Sequence, residues 1–180
     1  MNVGKIFEKE FKDSVLKNDY YFLRLKDPAQ SFNKSESQNL RFSLPNPYDC
    51  IIYSYPIMFA LELKTKQSTS LTFWRKDFKK SSFDIKEVQI KGLTEASLCK
   101  GIVAGFVINF RKTEHTYFLD IKDFNNMVKN INKKSFNEND VINNNGYLIA
   151  QKKKKVRFSY DIENFISEYK ERYNEENFIN

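Results

Sequence analysis

The stretch Asp49 to Lys64, Asp-Cys-Ile-Ile-Tyr-Ser-Tyr-Pro-Ile-Met-Phe-Ala-Leu-Glu-Leu-Lys, narrows what this chain can fold into more than any other. Two apolar runs, Cys50–Tyr53 and Ile57–Leu63, flank the turn signal Ser54-Tyr55-Pro56, which predicts a β-hairpin. With the turn centred between Tyr55 and Pro56, the numbers of each cross-strand pair sum to 111. That register sets Ile52 opposite Phe59, Cys50 opposite Leu61 and Asp49 opposite Glu62. Like charges directly across a rung repel, so such a carboxylate pair calls for a cation or a proton between its members. Strand alternation places Lys64 on the face of Glu62, with Leu61 and Leu63 on the other. The plain alternative is a solvated polar face, since charged residues on one side of a half-buried hairpin are ordinary. The sharper reading is a site for metal-assisted phosphodiester hydrolysis. There the carboxylates would hold a hard, oxygen-seeking cation such as Mg²⁺, and the lysine would stabilise charge developing on a phosphate.

Bulk properties bound these readings. A chain of 180 residues, 41% hydrophobic and 16% aromatic, fits one globular domain with a sizeable core. A net charge of +7 and a pI near 9.2 point to a polyanionic partner. Charge alone leaves membrane surfaces and acidic proteins open, but no apolar run approaches a membrane span and no basic amphipathic helix supports surface binding. The opening Met1-Asn2-Val3-Gly4-Lys5 leads straight into a charged amphipathic segment without a signal peptide, so a cytoplasmic location is expected. Cys50 and Cys99 are isolated in apolar surroundings and are expected to be two buried thiols. With His115 as the only histidine, histidine-rich metal sites and a Ser-His-Asp triad are disfavoured.

Gly4 to Leu16 carries Phe7, Phe11 and Val15 at about 0°, 40° and 80° around a helix, with Glu8 near 100°, at the edge of the buried face. Glu8 is either a solvated boundary residue or a member of the site. Tyr20–Leu25 reads as a strand. Residues 26–47 read as a flexible loop or short stalk-like insertion before the hairpin. Ser70–Trp74 is a candidate third strand, and Asp84 a candidate N-cap of a helix to about Lys100. On that helix Gln89 falls within the apolar stripe. Its amide must find a partner, either a backbone group or a metal with its water. Gly101–Phe110 reads as a central strand buried on both faces, with Thr116–Ile121 beside it. A short helix at Asp123–Asn130 and a capping box at Ser135-Phe136-Asn137-Glu138 follow. After the turn Asn143–Gly146, the run Lys152–Lys155 with Val156–Tyr160 reads as one basic edge strand, and Asp161 starts a last helix through about Tyr173. The lysine run either blocks strand pairing or binds phosphate. No internal repeat, phosphate-cradling glycine loop or dinucleotide fingerprint is present, so no nucleotide cofactor is expected. The expected architecture is α/β, a mixed central sheet flanked by helices.

The order of these features resembles the PD-(D/E)xK nuclease superfamily, whose restriction-endonuclease-like core would then be the fold. Within it, the chain is similar to the RecU family of Holliday junction resolvases, above all its shorter phage-type members. The likeness rests on Asn2-Val3-Gly4-Lys5-Ile6-Phe7-Glu8, on Asp49 and Glu62-Leu63-Lys64 with their 13-residue separation, and on Gln89-Ile90. It continues through Gly101–Phe110, Thr116-Tyr117-Phe118-Leu119, Lys134-Ser135 and Tyr160-Asp161-Ile162. The resemblance implies a Mg²⁺-dependent homodimeric endonuclease, with Mn²⁺ able to substitute, that resolves four-way DNA junctions by paired nicks. Asp49, Glu62 and Gln89 would bind or position the metal, Lys64 would stabilise the transition state, and Glu8 would act as an outer or second-metal ligand. Arg24, Lys26, Arg41, Lys152, Lys153 and Arg157 are candidate contacts to the DNA backbone. Two departures stand out. The family's threonine two residues before the aspartate is Pro47 here, and its Lys-Lys-Pro stalk segment appears as Lys26-Asp27-Pro28 in a shorter region. The rivals are another nuclease of the superfamily with different substrate geometry, and a non-catalytic DNA-binding recombination accessory protein.

Overall fold

The computed structural model describes residues 2–25, 46–78 and 82–178. In chain order the elements are α1 (Val3–Val15), β1 (Tyr21–Arg24), β2 (Cys50–Ser54), β3 (Ile57–Lys66), β4 (Ser70–Thr72) and α2 (Glu87–Ala96). Then come β5 (Ile102–Phe110), β6 (His115–Asp120), α3 (Ile121–Asn130), β7 (Ser135–Asn137) and α4 (Glu138–Ile142). β8 (Tyr147–Leu148), β9 (Gln151–Lys154), β10 (Arg157–Tyr160) and α5 (Ile162–Phe178) complete the chain. Six strands form the main sheet in the order β1-β2-β3-β5-β6-β8. Only β3 and β5 run parallel, joined by a crossover that carries α2, as parallel neighbours require. The sheet is thus mixed and flanked by helices, as the hydrophobic patterning predicts.

β5 lies at the centre because both its faces are apolar. Val103 and Val107 join the cluster packed by Phe7 and Phe11 of α1 and Phe165 of α5. Ala104, Phe106, Ile108 and Phe110 join the opposite cluster with Leu93 of α2 and Phe124 of α3. The alternation of period two along one strand therefore feeds two cores.

The β2–β3 hairpin has the register read from the sequence, with Ile52 opposite Phe59 and Cys50 opposite Leu61, about a cis Tyr55–Pro56 turn. It departs at the last rung. The ladder ends at Cys50–Leu61, and Asp49 does not pair with Glu62. Asp49 lies in a bend, its backbone N–H donating to the Leu61 carbonyl at 3.0 Å. β3 thus runs five residues past its neighbour, Glu62 to Lys66, and among the described residues this stretch pairs only with β5 on the other side.

Other expectations shift for identifiable reasons. Asp84 does not cap α2. Its carboxylate accepts from the Thr72 N–H at 2.8 Å, the Thr72 hydroxyl at 2.9 Å and Lys66 Nζ at 2.5 Å, and α2 begins after Lys86. The helix also ends early, at Ala96, so Cys99 falls in the following turn and is exposed, while Cys50 is buried. Ser135–Asn137 is a strand paired with β4, outside the main sheet. Phe136 at its centre is fully buried against Phe73 and Phe124, and that burial outweighs the local helix-start signal. The capping box is Asn137 with Asp140, two residues later than read. The basic C-terminal segment is two strands, β9 and β10, turning at Lys155, which adopts φ 43°. Residues 26–45, including Lys26 and Arg41, lie outside the described residues.

One contact fixes how the chain enters the hairpin. A Cβ on Gly92 of α2 would sit 2.3 Å from the Pro47 Cβ, so only glycine lets the helix approach there. Gly92→Ala should gain up to about 1 kcal/mol of helix propensity and lose about 1–3 kcal/mol to overpacking. The expected net result is a lower thermal midpoint, checked by circular dichroism, with the displacement transmitted to Asp49.

Candidate active site

β3 presents alternate residues to opposite faces, and its free half carries Glu62 and Lys64 on the α2 side. Glu62 is buried, its side chain 4% exposed, and Lys64 Nζ reaches its Oε1 at 2.9 Å. From α2, the Gln89 side-chain N–H₂ donates to the same Glu62 oxygen. The Gln89 oxygen turns the other way and accepts from the Lys86 backbone N–H at 2.9 Å. Gln89 thus reaches the site through its nitrogen and holds Glu62 in place.

Asp49 meets β3 from the other direction. Its Oδ2 accepts from the Leu63 backbone N–H at 2.8 Å, an amide that has no strand partner on the β2 side among the described residues. A carboxylate thus replaces the missing carbonyl of the ladder, which spares an unpaired backbone donor. Glu8 comes from α1 and pairs with Arg24 at the end of β1. The sequence-predicted residues Glu8, Arg24, Asp49, Glu62, Lys64 and Gln89 are therefore gathered around the unpaired half of β3. Lys152, Lys153 and Arg157 are not. They lie on the β9–β10 hairpin, which packs on α1 through the Tyr160 N–H to Ser14 hydroxyl bond of 3.0 Å. Ser14 and Glu10 occupy the flank of α1 turned away from Glu8, since Glu8 and Glu10 stand about 200° apart around the helix.

The electrostatics of the cluster are those of crowded carboxylates. Burial, with the Asp49 and Glu8 charges adding to it, lifts Glu62 to about 7 against the opposing pull of Lys64. Burial likewise raises Asp49, opposed by the Leu63 amide and Lys64 and reinforced by Glu8. The Cys50 thiol beside them is pushed well up by burial and is no nucleophile.

Among the described residues, no three His, Cys, Asp or Glu side chains cluster closely enough to cage a metal alone. The donor set still suits one kind of ion. It offers two carboxylates of raised pKa and no imidazole or accessible thiolate, and Mg²⁺ is commonly held by one or two carboxylates with retained water and substrate phosphate.

A groove of about 400 Å³ opens beside Asp49, between α1 and the ends of β1 and β2. Its walls include Lys5, Lys9 and Lys12, absent from the candidate residues above although their i, i+4, i+7 spacing on α1 puts them on one ridge. A larger cavity, about 1260 Å³, lies at the other end of β5 and holds none of the clustered carboxylates.

This arrangement sits on a known scaffold. The fold matches that of Hjc from Archaeoglobus fulgidus, a Holliday junction resolvase from an archaeal hyperthermophile. The TM-score is 0.52 and the identity 14%, over 81% of this chain and 95% of that one. The chain therefore shares the fold of that protein, a mixed sheet flanked by helices. It belongs to the family of the SPbeta prophage-derived uncharacterized protein YotM of Bacillus subtilis strain 168, with which it is 30% identical over 171 residues, 88% of this chain and 82% of that protein. No family model matches the chain. No helix among the described residues is long and apolar enough to cross a membrane.

The raised Glu62 has a thermodynamic consequence in the absence of divalent ions. The folded state binds a proton there more tightly than the unfolded chain, so stability is lost as pH rises from the ordinary carboxylate range through about 7. Glu62→Gln removes that dependence. Its stability relative to the parent should improve between pH 5 and pH 8, by on the order of 3 kcal/mol at most, as read from urea melts at both pH values.

Proposed function

We propose that the protein is a Mg²⁺-dependent endodeoxyribonuclease that resolves four-way DNA junctions by paired nicks. The observation that carries the reading is the buried Glu62 carboxylate, held by Lys64 and Gln89 and raised by its neighbours, on the unpaired end of a strand that Asp49 caps. The order of the motifs, which is similar to that of the RecU family, supports junction resolution as the task. The Hjc-type fold supports the same class of chemistry.

Asp49 and Glu62 would hold the ion, which supplies charge to polarise the scissile phosphate and lowers the pKa of an attacking water. Gln89 keeps Glu62 from rotating away, because its amide nitrogen is fixed on the carboxylate while its oxygen is anchored to the start of α2. Lys64 already lies 2.9 Å from Glu62, and its ammonium has three donors, so it can contact a phosphate oxygen without leaving that partner. At a position where negative charge grows in the transition state, such a donor is worth about 10²–10³ in rate. The Leu63 amide keeps Asp49 aimed at the strand end. Glu8, paired with Arg24, contributes negative charge at the same end of the sheet, and releasing it from Arg24 would free a further carboxylate for the site. Arg24 would in turn reach the DNA backbone, and so would Lys26 and Arg41. Two copies of the chain would be needed to cut opposing strands of one junction, which is the reason to expect a homodimer.

The reading is checked by incubating the protein with a mobile four-way junction and with linear duplex of the same sequence, in Mg²⁺ and in EDTA. The expected result is symmetric nicking of the junction in Mg²⁺ only, abolished by Glu62→Gln and slowed about 100-fold or more by Lys64→Met. Equal cutting of linear duplex would identify a nicking or restriction-like nuclease instead. Junction binding with no cleavage in Mg²⁺ would leave a non-catalytic DNA-binding protein.

A further inference from the structure

We infer that the groove between α1 and the ends of β1 and β2 is a binding site for the phosphodiester backbone of one DNA strand, with Lys5 and Lys12 as its phosphate contacts. The inference rests on the nuclease reading for the identity of the polyanion. Its evidence is separate, because neither lysine belongs to the carboxylate cluster.

The groove is lined by four cations, Lys5, Lys9, Lys12 and Arg24, and by three carboxylates, Glu8, Asp13 and Asp49. Four of these groups cancel in pairs. Arg24 binds Glu8, and Lys9 Nζ binds Asp13 at 2.8 Å. Lys5 and Lys12 remain, and neither has a carboxylate partner among the described residues. Seven residues apart, they stand on one ridge of α1, two turns from each other. The groove between them runs to Asp49, the carboxylate at the proposed scissile position. Its remaining lining, Phe22, Cys50 and Leu63, is apolar and suits the face of a sugar.

The volume, about 400 Å³, is that of a small-molecule pocket, enough to seat one nucleotide of one strand. A strand laid there places its phosphates against two unpaired ammonium groups and leads the next one to Asp49. The basic β9–β10 hairpin occupies the other flank of α1, so the track proposed here does not include it.

The test measures binding of the full-length protein to a labelled four-way junction in EDTA across a salt series, for the parent and for the double variant Lys5→Gln/Lys12→Gln. Each phosphate contact contributes a slope of about −0.9 to log affinity against log salt, so losing two should flatten the slope by about 1.8. Affinity at low salt should fall at least tenfold, and the Lys5→Arg/Lys12→Arg variant should restore the slope. In Mg²⁺ the double Gln variant should raise KM while leaving kcat within about twofold. Both side chains are on the exposed face of α1, and an unchanged thermal midpoint verifies the fold. An unchanged slope in the folded variant overturns the inference, as does a parent whose DNA affinity is insensitive to salt. A flattened slope without any Mg²⁺-dependent cleavage would sink the nuclease reading and keep the groove. Cleavage with an unchanged slope would do the reverse.

Discussion

The site exists because β3 outlasts β2. Ten residues of β3 face five of β2, and the rungs stop at Cys50–Leu61. Past that point the β2-side backbone of β3 needs other partners, and Asp49 supplies one by giving Leu63 a carboxylate oxygen where a strand carbonyl would have been. The same gap opens the end of the sheet to both of its faces. Gln89 can come in from α2 on one side and Glu8 from α1 on the other. A fully paired β3 would have kept those residues in separate layers, each beneath its own helix.

The charges gathered there are costly to hold together. Glu62 is buried, and its neighbours Asp49 and Glu8 are of the same sign, so the protein meets each carboxylate with a donor: Lys64 and Gln89 on Glu62, the Leu63 amide on Asp49, Arg24 on Glu8. These contacts restrain the repulsion without removing it, since Glu62 still stands near 7 and Asp49 above its ordinary value. A buried carboxylate whose proton is held this firmly would exchange it for a cation, and that is the reason a divalent ion is proposed for the cluster. α1 serves both halves of this arrangement. Its apolar face, Phe7, Phe11 and Val15, closes one core, while the edge of that face carries Glu8 to the site and the exposed side beyond it carries Lys5 and Lys12 to the groove.

Much of this was legible in the residues alone. The Ser54-Tyr55-Pro56 turn fixed the hairpin register, and period-two alternation put Glu62 with Lys64 and sent Leu61 and Leu63 to the core. Gln89 was marked by being an amide on an apolar stripe. What stayed hidden depended on tertiary competition. Asp84 has the form of a helix cap, but Thr72 and Lys66, distant in sequence, claim its carboxylate. Ser135 opens a capping pattern, but Phe136 is drawn into the core and makes that stretch a strand. The hairpin pattern extends the ladder to Asp49, one rung beyond where it ends, because nothing local says that its side chain will take the place of its backbone. Pro47, which stands where the resembled family carries a threonine, is the residue that α2 packs against at Gly92.

The central claim is that Asp49 and Glu62 form a divalent-cation site whose occupation displaces a proton from Glu62. It is tested most directly by calorimetric titration of Mn²⁺ into the protein at pH 7 in several buffers of different ionisation enthalpy. The account predicts that the observed heat varies with the buffer, corresponding to proton release on binding, and that Glu62→Gln abolishes this dependence. Heats independent of buffer, or the same proton release from the variant, would contradict it.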